Sequence, residues 1–312
     1  FRLVGVVEKM RKEIIELGGE VRFGQKVTGF EISNHVLQGI HLESGDFLEA
    51  DHVVLALGHS ARDTFATLHD AGVYMEAKPF SVGFRIEHPQ SLIDRTRLGP
   101  HAGNPLIGAA DYKLVHHAKN GRSVYSFCMC PGGTVVAATS ESNRVVTNGM
   151  SQYSRNERNA NAGIVVGITP DDFPGGPLAG IEFQRQIESK AFTLGGSNYE
   201  APGQLVGDFL QGKTSTEFGS VIPSYKPGVH LTDLAESLPA YAIEAIREAI
   251  PAFEKKIKGF SMHDAVLTGV ETRTSSPLQI KRGPNYQSIN TQGLYPAGEG
   301  AGYAGGIMSA GI

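Results

Sequence analysis

Apolar residues recur at helical spacing from the start of the chain. Leu3, Val6, Val7, Met10, Ile14 and Leu17 fall on one side of a helix over 3–17, which Gly18 and Gly19 end. The period then shortens to two. Strand-like runs over 20–23, 26–32 and 36–42, with a Ser44-Gly45-Asp46 turn into 47–49, predict an antiparallel meander. Residues 51–58 are a nearly continuous apolar run closed by Gly58, the pattern of a strand buried on both faces of an α/β sheet. A helix over 64–71 follows. The character changes at Lys78, where 80–87 alternate as a strand. Two further strands meet at the tight-turn sequence Pro131-Gly132-Gly133. Residues 140–162, rich in Ser, Asn and Arg, and 171–177, rich in Pro and Gly, read as loops. Helices are expected over 178–193 and about 239–258. In the second of these, Tyr241, Ile243, Ile246, Ile250 and Phe253 repeat at core spacing.

Composition narrows the class without naming a chemistry. The 312 residues are 40% hydrophobic and 19% charged with a formal net charge of -4, which carries no nucleic-acid bias. That length exceeds the size at which one core stops growing, so two packed units are expected. No apolar run is long enough to span a membrane, and residues 1–5 lack both an initiator methionine and a signal-peptide pattern. The expectation is an excised piece of a cytoplasmic protein. Cys128 and Cys130 share one face of a strand, where i,i+2 spacing suits a disulfide poorly, and no further cysteine completes a metal site; the pair reads as small buried hydrophobes or, alternatively, as redox thiols. His116, His117 and the other histidines show no ligand spacing, so no metal is expected.

The richest chemistry lies at residues 293–312. A short apolar strand over 294–297 runs into Gly300, Gly302 and Gly305, which satisfy G-x-G-x-x-G. Glycines let backbone N–H groups approach a phosphate, and a following helix adds its positive end. A dinucleotide fingerprint also needs a βαβ unit and an acidic residue about 20 positions further on. Here only seven residues follow Gly305, so the segment is expected to close a fold begun elsewhere.

The order of parts is helix, meander, buried strand, long insertion, then 294–299 and a glycine-rich helix start. It resembles the two-dinucleotide-fold flavoproteins. More narrowly, the blocks at 55–63, 78–89, 128–133, 271–277 and 298–306 resemble the uncharacterised FAD-dependent dehydrogenases, also called NAD(FAD)-utilising dehydrogenases. Members of that family carry their G-x-G-x-x-G unit on the N-terminal side of the meander. The resemblance therefore implies a C-terminal fragment that lacks this unit, with the missing N-terminal segment of the same protein as its partner.

The implied fold is α/β (mixed α+β): a partial Rossmann-like FAD-binding domain with a β-meander, interrupted by a mixed α/β substrate domain. Its boundaries are 1–77 for the first part of the FAD domain, 78–265 for the inserted substrate or cap domain, and 266–312 for the second part. The implied function is FAD-dependent oxidoreduction, with hydride transfer at flavin N5 on a small-molecule substrate and NAD(P)H as a candidate electron donor.

The resemblance also suggests cofactor contacts. Glu299 would accept a hydrogen bond from a ribityl hydroxyl, or would serve simply as a carboxylate at a helix N-terminus. Gly298, Gly300, Gly302, Ala304, Gly305, Gly306 and Ile307 would face the phosphates and the flavin. Gly58, His59 and Ser60 would lie near the adenosine half, and the Val27 backbone would meet adenine. Arg273 is the best candidate for a substrate anion, because a guanidinium binds carboxylate or phosphate bidentately. Arg85 is a second candidate, and Arg85 with Glu87 across from Glu271 and Arg273 also admits a structural salt bridge. No side chain is singled out as a proton donor. The alternatives are a flavin- or nucleotide-binding module without turnover, and an NAD-only dehydrogenase.

Overall fold

The computed structural model describes residues 2–311, with the side chains of Arg2 and Ile307 outside the description. The architecture is mixed α/β, with seven α-helices and a seven-stranded mixed sheet among the described residues. The chain divides into two compact units. One holds the described residues through Ala56, together with Ala61–Met75 and Ile280–Ala297. The other holds Leu57–Ser60, Glu76–Gln279 and the described residues from Gly298 onward.

In the first unit the helix Arg2–Glu16 forms as its periodicity predicts, but its apolar face is exposed, Leu3 at 72% and Met10 at 61%. The meander consists of Val27–Ser33, Val36–Leu42 and Phe47–Glu49, paired antiparallel in that order, with Leu37 and Leu42 buried beneath it. Residues 20–23, expected as a strand, are irregular. Gly24 there takes a positive φ, and Arg22 pairs locally with Glu20 at 2.6 Å. Val53–Leu55 pairs in parallel with Leu294–Pro296, so residues 241 positions apart become neighbours. The expected burial on both faces does not hold: Leu55 is buried but Val54 is 65% exposed. The helix Arg62–Asp70 tucks Phe65 and Leu68 into the core of this unit.

The second unit is built on the seven-stranded sheet, in the order Val229–Leu231, Ala201–Leu205, Val266–Glu271, Phe80–Pro89, Asn159–Ile168, Ser123–Cys130, Val115–His117. Only the first two pair in parallel. Helices Ala179–Leu194 and Ala240–Glu254 bury their apolar stripes, including Ile187, Ile243, Ile246, Ile250 and Phe253.

Two readings of this region need correction. The strand Phe80–Pro89 alternates in sequence, yet it is central and buried on both faces, polar residues included. Those polar groups are compensated inside the fold: Glu87 accepts from Ser224 Oγ at 2.6 Å and Asn159 Nδ2 at 3.0 Å. Residues expected as loop over 140–162 supply the strand Thr147–Ser151 and the first residues of Asn159–Ile168. Their asparagines signal turns in sequence, but here they bond neighbouring strands. The Pro131-Gly132 turn joins two strands as expected; they lie in different sheets, because Gly133–Ala137 pairs with Thr147–Ser151 and not with Ser123–Cys130.

Candidate functional site

The second unit brings three of the blocks noticed in the sequence together: Gly58–Ser60, the segment following strand Val266–Glu271, and the glycine turn after Gly298. The middle segment is the hub. Arg273 donates from Nη1 to Ser60 Oγ at 3.0 Å and to Ser140 Oγ at 2.5 Å. Its Nε and Nη2 make a bidentate pair with Glu188, at 3.1 and 3.0 Å. A few residues on, Ser276 Oγ donates to the Gly300 carbonyl at 3.1 Å and Gln279 Nε2 to the Gly302 carbonyl at 3.4 Å. One stretch of chain thus holds both glycine segments.

The glycines are used in two ways. A Cβ on Gly300 would collide with the Gly58 carbonyl, and one on Gly302 would stand 2.7 Å from the Leu278 carbonyl oxygen. These two permit close backbone approach. At Gly58, Gly305 and Gly306 nothing lies within 4 Å of a Cβ position, and all three are exposed, so bare backbone faces open space. Gly58 (φ 68), Gly298 (φ 71), Gly302 (φ 84) and Gly306 (φ 97) adopt left-handed backbone that side chains resist. Tyr303 N–H closes the turn on the Gly298 carbonyl at 3.1 Å, and Ala304 sits half-buried beyond it. The helix Ile307–Gly311 follows, and the Ile307 side chain lies outside the described residues.

Glu299 sits half-buried in this turn. Its Oε1 is 3.9 Å from His59 Nε2, and its Oε2 accepts from Gly306 N–H at 3.3 Å. Lys78 is close enough to feel it. Burial pushes the lysine below its ordinary range and the Glu299 charge opposes that shift. Lys78, Glu188, Ser140, Ser276 and Gln279 escaped the sequence reading because none carries a motif spacing. Lys78 and Ser276 had a signal, standing in the blocks at 78–89 and 271–277.

The remaining candidates lie elsewhere or are otherwise engaged. Val27 opens the meander and belongs to the first unit. Arg85 is fully buried, and all five of its N–H donors are spent on protein acceptors. They reach both Glu271 carboxylate oxygens, Asn148 Oδ1, Asn161 Oδ1 and the Cys128 carbonyl. Burial alone would push its pKa down, but the Glu271 carboxylate overrides this and holds the guanidinium charged. Arg273 is 8% exposed and committed to Glu188. Arg85–Glu271 and Arg273–Glu188 are thus internal ion pairs that fix the strand ends around the hub.

A cavity of about 580 Å³ opens nearby in the same unit, lined by Ser81, Arg122, Tyr125, Asp172 and Ser275 of the hub segment. The hydroxyls of Ser81 and Tyr125 hydrogen-bond each other at 2.5 Å in its wall, and Arg122 is clamped bidentately on Asp172 at 2.6 and 2.7 Å.

The hub of buried ion pairs thus presents two glycine-lined backbone segments within a mixed α/β fold, and comparison with known proteins gives the family. Residues 79–274 match the family described as FAD-dependent protein, C-terminal domain-like. The chain belongs to that family. It is also similar to a protein of Clostridium beijerinckii (strain ATCC 51743 / NCIMB 8052) described as uncharacterised, 51% identical over 312 residues. The alignment covers 99% of this chain and 58% of that relative's length. The glycine turn after Gly298 lies beyond the residues that match the family. Among the described residues, no helix is long and apolar enough to cross a membrane.

Proposed function

We propose that this chain forms the flavin-facing part of an FAD-dependent oxidoreductase acting on a small molecule. One observation carries the reading: Gly58 and Gly300 are packed backbone to backbone beside Glu299, with Gly305 and Gly306 bare toward open space, in a chain of an FAD-dependent family. Such a cradle fits a dinucleotide, whose phosphates and polyol need N–H donors and a carboxylate acceptor at short range.

FAD, when bound, supplies two-electron hydride chemistry at its N5 atom. The chain's own residues supply position and charge. Glu299 would accept a hydrogen bond from a ribityl hydroxyl. Lys78, half-desolvated beside it, would place a positive charge that offsets negative charge gathering on a reduced ring. Arg273 would act indirectly: by tying Ser60 and Ser140 to Glu188 it fixes the loop that carries Gly58 and His59. The cavity lined by Ser81, Tyr125 and Ser275 is where we place the substrate, since it abuts the hub and offers hydroxyl partners beside the Arg122–Asp172 pair.

Visible absorption of the purified full-length protein tests the cofactor. A flavin spectrum that weakens in Glu299→Ala is the expected result. A colourless protein that takes up no FAD after refolding refutes the proposal. Anaerobic addition of NADH and NADPH then tests the electron donor: bleaching supports a dehydrogenase using nicotinamide. Flavin that resists both donors and every candidate substrate favours a binding module without turnover.

A further inference from the structure

The strand Ser123–Cys130 is interrupted at its end. Asn161 is paired with Cys130 and Gly163 with Phe127, so Cys128 and Met129 together stand opposite Ala162 alone. That two-against-one count is a β-bulge, a device that re-aims side chains. Cys128 takes a left-handed backbone (φ 42), rare for a side chain with a Cβ. Its thiol is exposed, whereas Cys130 is buried at 6%. In an unbroken strand two such side chains stand about 6.6 Å apart along the chain, outside disulfide reach. The bulge breaks that regular spacing: Cys130 Sγ folds back and donates to the Cys128 carbonyl oxygen at 3.3 Å, and the two thiols are themselves in hydrogen-bond contact.

The bulge is held by an expensive device. The fully buried Arg85 donates from Nη1 to the same Cys128 carbonyl at 2.7 Å. Its other donors are anchored on Glu271, Asn148 and Asn161. A permanent positive charge therefore sits under the exposed sulfur, the setting in which thiolates form and react. A hydrogen bond with Cys130, against the cost of burial and with help from the Arg85 charge, brings the Cys128 thiol down to about 5, whereas Cys130 is pushed up by the same hydrogen bond and by burial.

We propose that Cys128 and Cys130 form a thiol–disulfide couple that exchanges with small-molecule disulfides, Cys128 attacking and Cys130 resolving. The Cys128 thiolate attacks one sulfur of a disulfide RS–SR. That S–S bond breaks, RS⁻ leaves, and a Cys128–S–SR mixed disulfide forms. Cys130 then attacks the Cys128 sulfur and expels the second RS⁻, which takes the Cys130 proton. Two protein thiols are oxidised by two electrons and one small disulfide is reduced to two thiols.

The experiment exposes the pre-reduced full-length protein to glutathione disulfide, traps free thiols after an acid quench, and reads intact mass. Wild type is expected to lose two hydrogens with no retained glutathionyl group. Cys130→Ser is expected to stop with one glutathionyl group, and Cys128→Ser to take up none over the same time. A wild-type protein that stays reduced, or ends as a stable glutathionyl adduct, overturns the proposal. So does a Cys128→Ser protein glutathionylated as fast as Cys130→Ser. Should either variant misfold, the pH profile of wild-type Cys128 alkylation decides. Half-maximal rate near pH 5 supports the couple, and half-maximal rate near the ordinary thiol value of about 8.5 rejects it. None of these readouts depends on bound flavin, so this couple and the flavin cradle fail separately.

Discussion

His88 should make the protein lose stability in mild acid. It is fully buried on the strand Phe80–Pro89, its ring 4.7 Å from that of Phe260, and its Nε2 bonds the Phe260 carbonyl at 2.7 Å. That bond requires the tautomer with hydrogen on Nε2, which leaves Nδ1 bare and without a partner. Protonation would put a charged N–H where nothing accepts it. Burial accordingly lowers the His88 pKa from 6.5 to about 4, against opposing pulls from the Phe260 carbonyl and the Glu254 carboxylate.

The sign and size follow from proton counts. Between these values the unfolded chain binds a proton that the folded chain refuses, so stability falls as pH drops from 6.5 toward 4 and is fully present above 6.5. At about 1.4 kcal/mol per unit over roughly 2.5 units, the His88 contribution is about 3 kcal/mol. Burial also pushes the Glu87 and Glu271 carboxyls upward, so other groups contribute to the acid response and the test is a difference. Denaturant unfolding of wild type and His88→Gln is followed at intervals from pH 7 to pH 4. The stability difference should shift in favour of the variant by about 3 kcal/mol as acid is added. A pH-independent difference would refute the buried, neutral assignment.

Four other outcomes are expected. Glu271→Gln strips the fully buried Arg85 of its counter-charge and should cost about 3–5 kcal/mol in denaturant unfolding. Glu188→Gln should cost a similar amount by the same argument at Arg273, with protease sensitivity rising at the Gly58–Ser60 loop that Arg273 holds. Gly300→Ala drives a methyl into the Gly58 carbonyl and should cost about 1–3 kcal/mol together with flavin affinity. Gly305→Ala, with nothing within 4 Å, should leave the unfolding midpoint unchanged, and equal effects of the two on stability would contradict the packing described.

Local patterns settled much of this protein in advance. The helical period over 3–17, the two-residue period of the meander and the apolar stripe through Ile243, Ile246, Ile250 and Phe253 each specify an element through nearest-neighbour geometry alone. Glycine positions were equally legible, because a missing Cβ constrains the backbone wherever it occurs. The blocks around residues 58, 273 and 300 could be singled out but not joined.

Tertiary structure decided what long-range partners determine. Whether 80–87 is an edge strand or a central one depends on strands contributed from residues 159–168 and 266–271, and only that choice makes Arg85 a buried anchor instead of an anion receptor. Arg273 reads as a ligand in sequence because its partner Glu188 lies 85 positions away on a helix. The asparagines of 159–161 signal turns by local preference, yet a buried hydrogen-bond network turns them into strand residues. Cys128 and Cys130 share a face under the two-residue rule, but a single bulge, braced by that same Arg85, leaves Cys128 exposed and turns the buried Cys130 back toward it. Period and propensity are properties of neighbouring residues, whereas burial, charge pairing and reactivity belong to groups the folded chain brings together.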